Sequence, residues 1–450
     1  MKIFNEWVLR FDKADWASSP EFGLIDTVLE SHPDIIKIVK NDIIKNEKEN
    51  NFGRKDVPTV EQIVRSAIFK EMKGLDYREL EFAQKDSRIC ATFIKLDDRR
   101  PFSFQVLQKY ISKITAKSLH ELLVTVNKIA IFEGFEDVSK LRQDSTTVKT
   151  NIHYPTNNSL VWDCIKKSHQ LLEALKKEEE DVHYFNYIQG AKKLYFKINV
   201  TKSDDKRLML FQKQLILFSK TINQISNVLK KKAKTLSGIA IQAQLYDFID
   251  DLLLIYDITY RKEIKGEAVP NSDKMFSIFE RHTDIIVKGS RDVIFGHKVN
   301  LATGKSNLIL DIQTLIGNPS DKNLYQPTIN RVETNYGKIP RDIATDGGYA
   351  CIDNLNFSKN KGIVNIVFNK IVGSLQNTTS SKKLETQLKK WRSGIEANIS
   401  NWKRGFNIAT CNWKGLPHFE SKIIWSAIAY NFRILTVLFL DKYKLETIKV

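Results

Sequence analysis

The sequence predicts a mixed α+β and α/β fold, in which a helical N-terminal domain precedes a core built on a mixed sheet. Apolar residues recur at helical spacing in the N-terminal part, whereas short runs rich in β-branched residues follow after residue 139. A long Lys-rich segment with helical periodicity, residues 160–262, separates the first of these runs from the others. The length of 450 residues allows two or three domains. We expect one domain over residues 1–138 and a second over residues 139–450.

The N-terminal domain is predicted to consist of short helices joined by turns. Thr59 and Gln62 fit a capping box, and the segment Gly74–Leu80 ends that helix and caps the next. A further helix follows the turn at Pro101–Ser103. Residues 1–56 predict an irregular helical lead-in that ends in a polar run. Such short helices are typical of a helix-turn-helix module, and a plain helical bundle used for dimerisation fits the same pattern.

The first predicted strand covers Leu141–Thr150. Its β-branched residues alternate in a way that places Asp144 on the same face as Thr146 and Val148. An acid on a strand is a candidate metal ligand or catalytic group. The alternative is that Asp144 caps a local turn.

The later strands lie beyond the helical segment. Two apolar runs joined by a Gly-bearing turn, Val293–Asn300 and Asn307–Ile312, predict a hairpin. A helix at Leu324–Tyr336 and two further strands at Pro340–Asp346 and Gly362–Phe368 follow it. Asp346 ends the first of these two strands and is followed by two glycines. Glycines after Asp346 allow a tight exit from the strand and the close approach of a large ligand. Taken alone, Asp-Gly-Gly is also an ordinary turn.

A long helix after a polar loop carries one acid among basic and aromatic residues, at Lys390–Arg404. Arg392 and Glu396 stand at i and i+4, and Lys403 returns to nearly the same face two turns later. This pattern suits a metal ligand beside a phosphate backbone, although a solvated helix with one ion pair fits it too. Glu385 is a rival acid, about 16 Å away along the helix axis.

The spacing Arg392-x3-Glu396-x6-Lys403 resembles the R-E-K part of the Y-x2-R-x3-E-x6-K motif of bacterial insertion-sequence transposases, which are Asp-Asp-Glu (DDE) enzymes. Lys389 stands where that motif has tyrosine, so a lysine would have to place DNA by its charge. Four more segments are similar to elements of the family: Gly74–Leu80, Asp144–Thr146 with Pro155–Asn157, Gly296–Val299 and Asp346–Tyr349. In the first of these segments the family has a serine where this chain has Asp76. The resemblance covers roughly residues 57–440.

This resemblance implies an RNase H-like catalytic domain. The helical segment would then be a large insertion, at about residues 160–285, between the first and second strands of the core. The N-terminal helical domain would bind the transposon ends.

The resemblance also implies the chemistry. Asp144, Asp346 and Glu396 would be the catalytic acids and would bind two Mg²⁺ ions, for which Mn²⁺ could substitute. Water would attack at the transposon end, and the freed 3′-hydroxyl would then attack target DNA. The candidate DNA-binding residues are Arg392, Lys403, Arg404, Trp402 and Lys389. Trp402 would stack on an unpaired base, and core packing is the alternative for it and for Trp391.

Composition agrees with a nucleic-acid partner. The chain has 70 basic and 53 acidic residues, a net charge of +17 and a pI near 9.4, which favour a polyanion; attraction to a membrane is the competing explanation. We expect double-stranded DNA as partner, as terminal inverted repeats and as target, and a homodimer on paired ends.

We expect a cytoplasmic, nucleoid-associated protein without a membrane span. The N-terminus lacks the long apolar run of a secretory signal, and four scattered cysteines without C-x-x-C spacing indicate neither a zinc site nor a disulfide framework. Ile423–Leu440 is apolar enough to resemble a span, but Asn431 and Arg433 interrupt it. We interpret it as a buried core helix.

The leading hypothesis is therefore a DNA transposase that cuts its ends and joins them to target DNA. Two alternatives are a catalytically inactive DNA-binding relic of such an enzyme and a stand-alone RNase H-like nuclease. Metal-dependent cutting separates the first from the relic, and joining of cut ends separates it from the nuclease.

Overall fold

The computed structural model describes residues 16, 18–45, 57–96, 100–288, 292–371, 373 and 375–447. Within these residues the chain forms fifteen α-helices and a seven-stranded mixed sheet, which confirms the predicted mixed class. The chain divides into two compact units, Met1–Lys149 with Gly296–Val450, and Thr150–Phe295. The N-terminal helices thus share one compact unit with most of the sheet. A functional division at residue 138 stays a prediction.

Among the described residues, seven short helices begin the first unit. They are α1 (Pro20–Ser31), α2 (Asp34–Ile44), α3 (Val60–Lys73), α4 (Tyr77–Asp86), α5 (Arg88–Ile94), α6 (Phe104–Ile111) and α7 (Ala116–Phe132). The predicted capping box of Thr59 and Gln62 is present, and Gly74 ends α3 in the left-handed conformation before Asp76 caps α4. The polar run of the lead-in lies outside the described residues beyond Lys45.

The sheet brings strands from distant parts of the chain together. Its members are β1 (Lys140–Thr150), β2 (Asp284–Lys288), β3 (Asp292–Thr303), β4 (Ile309–Leu315), β5 (Asp342–Asp346), β6 (Asn365–Asn369) and β7 (Thr410–Cys411). The order is β2-β3-β1-β5-β6, with β4 paired to β3 and β7 to β1. β3 is antiparallel to β1 and to β4, whereas β5 is parallel to β1 and to β6. The predicted hairpin and strands are present; β2 and β7 had not been predicted.

The remaining helices of the first unit follow the sheet strands. They are α12 (Tyr325–Tyr336), α13 (Ile352–Asn360), α14 (Lys382–Gly405) and α15 (Leu416–Thr447). Leu416–Lys442 is long and apolar enough to cross a membrane, but 72% of its most apolar window is buried inside the structure. The side-chain amide of Asn431 accepts a hydrogen bond from the backbone of Ile309 at 2.9 Å and donates one back to it. A core helix bonded to the sheet is what we expected of this segment.

The second unit contains a helical bundle that lies in the chain between β1 and β2. It contains α8 (Asn157–Glu178), α9 (Ile188–Val200), α10 (Asp204–Leu229) and α11 (Leu236–Thr259), followed by a π-helical turn (Tyr260–Ile264). Its core is a separate apolar cluster built around Leu172, Phe218, Leu252 and Ile255. The predicted helical character of residues 160–262 is therefore confirmed.

A buried group of three charges joins α3 to α15. The Lys70 ammonium lies 2.9 Å from one carboxylate oxygen of Glu71, and Lys422 from α15 pairs with the other. All three side chains are almost completely buried. Burial opposes the ionisation of Glu71, but the two ammonium groups outweigh it and lower the pKa of its carboxyl. The carboxylate is thus the common partner of two buried cations.

We expect Glu71→Gln to reduce the free energy of unfolding by about 3–5 kcal/mol, because the substitution leaves two buried ammonium groups without a counter-charge. Urea unfolding followed by circular dichroism measures this. Asp34→Asn is the control, since it breaks an ion pair with Lys37 whose side chains are both mostly exposed, and it should change little. Equal stability of the two variants would contradict a structural role for the buried group.

Candidate active site

Strand β1 presents alternate side chains to helix α14. Arg142, Asp144 and Thr146 lie on one face because successive residues of a strand point to opposite sides. Arg142 bonds the backbone of Trp391, Asp144 bonds Arg392, and the Lys403 ammonium lies 3.5 Å from the Thr146 hydroxyl. Alternate residues of β1 therefore contact α14 at several points along the helix.

Arg142 holds α14 in place on the sheet. Its guanidinium donates to the carbonyl of Trp391 at 2.6 Å, to the Thr303 hydroxyl at 2.9 Å and to the Asn307 side chain at 2.6 Å. It also stacks over the Trp391 ring at 4.9 Å, and burial lowers the pKa of Arg142 to about 10. An added Cβ at Gly394 would lie 2.5 Å from the Arg142 Nη1 atom. The absence of a side chain at Gly394 thus leaves room for this contact.

The three predicted acids meet around one guanidinium, that of Arg392. An Nη atom of Arg392 lies 2.9 Å from the Asp144 carboxylate and 3.7 Å from that of Asp346, and the other Nη lies 3.1 Å from Glu396. The two aspartates are neighbours because β1 and β5 are parallel with Gln143 opposite Thr345. The structure therefore brings Asp144, Asp346 and Glu396 together on the face of the sheet that contacts α14.

Asp144 is the most buried of the three acids, and its electrostatics differ from those of an ordinary aspartate. Burial raises its pKa to about 6, with smaller upward contributions from Asp346 and Asp321. Arg392 and the backbone N–H of Ser145, which donates to Asp144 at 2.8 Å, oppose this rise. Asp346 and Glu396 are more exposed, with side chains 43% and 66% accessible. The site thus has one buried acid and two acids that are open to solvent.

A fourth acid, Asp321, lies beside this group and had not been predicted. It stands in the turn after β4, where it accepts hydrogen bonds from the Ser145 hydroxyl at 3.0 Å and from the Lys298 ammonium at 3.1 Å. A Cβ built on Gly348 would lie 3.1 Å from its carboxylate, so Asp321 also approaches the glycines after Asp346. The sequence offered Lys298, in the Gly296–Val299 element, as a hint of a nearby acid. The fold shows that this acid is Asp321.

The donor set suits a hard divalent cation. Three carboxylates supply the oxygen ligands that Mg²⁺ prefers. Among the residues that the structure describes, however, no three acidic, His or Cys side chains cluster closely enough to hold a metal ion as they stand. The Arg392 guanidinium lies among the three carboxylates. A divalent cation and Arg392 would therefore compete for the same oxygens.

The other predicted cations are placed differently. Lys403 donates to the carbonyl of Thr147 at 2.7 Å, on the face of β1 next to the acids. Arg404 is exposed at the end of α14. Lys389 pairs with Glu385 one turn earlier on the helix, at 2.6 Å. Glu385 also accepts a hydrogen bond from Asn377, so its described contacts lie away from Arg392.

Trp402 does not contact solvent, which corrects its predicted role in stacking on a base. Its ring is fully buried and its indole N–H donates to the Ser426 hydroxyl of α15 at 2.9 Å. A ring enclosed in the core offers no free face to a nucleotide. Trp402 instead packs α14 against α15, which is the core-packing alternative. Trp391 is only partly buried and stacks on Arg142.

Comparison with protein families gives one match. Residues 286–432 match the family model described as transposase DDE domain. The matched segment contains β3 to β6, Asp346 and Glu396, and it begins after Asp144. This match confirms the resemblance to DDE-type transposases, a family that generally uses divalent metals. No curated protein and no solved structure matches the chain.

We expect Gly394→Ala to lower the free energy of unfolding by about 1–3 kcal/mol, because the new methyl group displaces the Arg142 guanidinium from the backbone of Trp391. Thermal and urea unfolding measure the loss. Ser393→Ala, at an exposed neighbouring position on the same helix, is the matched control.

The mechanism predicts that Gly394→Ala costs much less in an Arg142→Ala background, since the clashing group is then gone. An unchanged cost in that background would show that the glycine serves another purpose.

Proposed function

We propose that this chain, which contains a transposase DDE domain at residues 286–432, is a DNA transposase that cuts the ends of an insertion sequence and joins them to target DNA. One observation carries the proposal. Asp144, Asp346 and Glu396 come from two strands and a helix, far apart in sequence, and all three lie within 3.7 Å of one buried guanidinium. Charged groups are not gathered in this way without a function or a strong structural reason.

The core is proposed to be RNase H-like. The order of its main strands is β4-β3-β1-β5-β6; β3 is antiparallel to both of its neighbours, β4 and β1, whereas β5 and β6 run parallel to β1. The acids then stand on the central strand, on the adjacent parallel strand and on the helix that packs against both. This arrangement supports the domain layout implied by the resemblance, with the helical bundle inserted after β1.

Asp144, Asp346 and Glu396 are the proposed ligands of two Mg²⁺ ions, for which Mn²⁺ can substitute. Bound there, the cations would supply Lewis-acid activation of the attacking oxygen, from water or from the 3′-hydroxyl of a cut end, and would stabilise the leaving oxygen of the phosphodiester. The chain itself contributes the orientation of the acids. Ser145 donates to Asp144 through its backbone, and β1 and β5 hold the two aspartates at matching heights.

Arg392 has two proposed roles. Before metal binding its positive charge offsets the repulsion among three carboxylates, which would otherwise force them apart. Its Nε atom is buried and has no hydrogen-bond partner among the described residues, a state that costs about 1–3 kcal/mol. This cost makes it easier for Arg392 to leave the acids. A DNA phosphate is the acceptor that the guanidinium would then meet.

DNA is the proposed partner, both as terminal inverted repeats and as target. Arg404 and Lys403 flank the acids at the end of α14, and Lys389 lies on the same helix. The net charge of +17 adds non-specific attraction to phosphates, so binding should weaken as salt rises. We further propose a homodimer on paired ends and a cytoplasmic, nucleoid-associated location.

The first test compares two acids of one helix. Glu396→Gln should abolish Mg²⁺-dependent cleavage and strand transfer on DNA that carries the flanking inverted repeat, while DNA binding persists, because a carboxylate ligand is lost. Glu385→Gln should stay active, since Glu385 contacts Asn377 and Lys389 instead.

Gel assays of cut and joined products, with binding measured in parallel, separate the outcomes. A wild-type chain that binds DNA and never cuts with Mg²⁺ or Mn²⁺ would support an inactive relic. Cutting without joining would support a nuclease. If Glu396→Gln cuts as well as wild type, Glu396 is not a ligand.

For the neighbouring Asp321 we predict a partial loss of activity. Asp321→Asn removes the charge that holds Lys298 and orders Ser145, so we expect cleavage to fall about 10- to 100-fold, as for other residues that orient metal ligands. The metal concentration for half-maximal activity should rise at the same time. Asp353→Asn, at an exposed position on α13, is the control. Normal activity with Asp321→Asn would exclude this orienting role.

A further inference from the structure

Exposed apolar side chains are concentrated in the second unit. Most of the large apolar residues that are exposed in the described chain lie there: Tyr154, Phe185, Phe196, Val200, Met209, Ile216, Leu236, Ile239, Tyr246, Leu253, Leu254, Tyr260, Phe279, Val287 and Val293. Single exposed apolar residues are normal on a protein surface, whereas apolar residues aligned on one face mark an interaction site. Two helices of the unit, α10 and α11, align theirs.

Helix α11 is apolar on two opposite faces. Leu245, Leu252 and Ile255 point into the core of the bundle. The opposite face carries a row of exposed residues that we call the α11 stripe: Ile239, Ala243, Tyr246, Asp250, Leu253 and Asp257. At 100° per residue these positions fall within one narrow sector of the helix. Apolar residues aligned on the face away from the core form a second surface that a partner can cover.

Helix α10 has a matching exposed row, the α10 stripe. It consists of Met209, Lys213, Ile216 and Lys220, again at i, i+4, i+7 and i+11. The other face of α10 packs in the bundle through Leu215 and Phe218. Within the described part of the chain, neither lysine of the stripe has a carboxylate within 4.0 Å. The α10 stripe is therefore apolar and basic, with unpaired cations.

The two stripes are complementary in charge and in spacing. The lysines of the α10 stripe are seven residues apart, and so are Asp250 and Asp257 of the α11 stripe; both spacings are about 10.5 Å along a helix. The apolar residues repeat with the same interval, Met209 to Ile216 and Tyr246 to Leu253. Asp250 is exposed and free of ion pairs among the described residues, while Asp257 lies 3.5 Å from Arg261. When the two helices run antiparallel, Lys213 meets Asp257 and Lys220 meets Asp250. Ile216 then lies opposite Leu253 between the two charge pairs.

We infer that two copies of this chain associate through the second unit, with the α10 stripe of one copy against the α11 stripe of its partner. A two-fold axis repeats the contact, so each copy contributes both stripes and no stripe is left uncovered. DNA does not suit the pair of stripes, because the aspartates of the α11 stripe repel phosphates and the apolar residues gain nothing from them. The inference does not depend on the proposed enzymatic activity.

Charge reversal in the full-length protein tests this inference by sedimentation velocity without DNA. Lys213→Glu with Lys220→Glu, and separately Asp250→Lys with Asp257→Lys, should each weaken self-association at least about 100-fold, because like charges then face each other in both contacts. An equimolar mixture of the two variants should restore the dimer, since every contact in the mixed pair again joins opposite charges. Lys192→Glu with Lys193→Glu, on exposed positions of α9, is the matched control.

Circular dichroism and thermal unfolding establish that each variant is folded. A monomeric wild type at tens of micromolar would overturn the inference, and so would variants whose mixture stays monomeric. Reduced DNA affinity of the Lys213→Glu, Lys220→Glu variant with unchanged association would also overturn it and would assign the α10 stripe to DNA. DNA cleavage is measured separately, so failure here leaves the proposed function untouched.

Discussion

The contact of the Arg392 guanidinium with three carboxylates is the interaction on which the site depends. Three acids gathered on one face of a sheet repel each other, and the most buried of them, Asp144, already has a raised pKa. Arg392 offsets this repulsion from within, because its side chain is 93% buried and reaches Asp144, Asp346 and Glu396 together. The same position makes it the group that a divalent cation would have to displace. Arg392 thus keeps the three carboxylates together at a place where a cation could replace it.

This arrangement requires α14 to stay in one register on the sheet, and Arg142 provides that constraint. Its bond to the backbone of Trp391 contacts the helix one residue before Arg392, and Gly394 leaves the space for it. Further along, the Lys403 ammonium bonds the carbonyl of Thr147, and Trp402 packs against α15. A shift of α14 by one residue would rotate Glu396 by about 100° away from the acids of the strands. The register of α14 on the sheet therefore determines the geometry of the site.

The fold was predictable wherever local pattern and long-range packing agree. The capping residues Thr59 and Gly74, the strand that carries Asp144, the hairpin and the helix that carries Glu396 all follow from short-range signals. The short strands β2 and β7 do not, because two to five residues carry too little pattern to separate a strand from a loop. Trp402 was assigned to DNA because an aromatic ring among lysines fits a stacking surface equally well; burial decides between the two, and burial is not a local property.

The sequence by itself determined the acids, their order along the chain and the basic character of the protein, since these depend on residue identity and spacing alone. The tertiary structure decided which groups meet. Asp321 lies beside Asp144 only because β4 pairs with β3, which in turn pairs with β1, and Lys298 of β3 bonds Asp321 across 23 residues of chain. The exposed stripes of α10 and α11 likewise became visible once the bundle had buried their opposite faces. Contacts between distant residues arise from the packing of whole elements, and no local spacing encodes them.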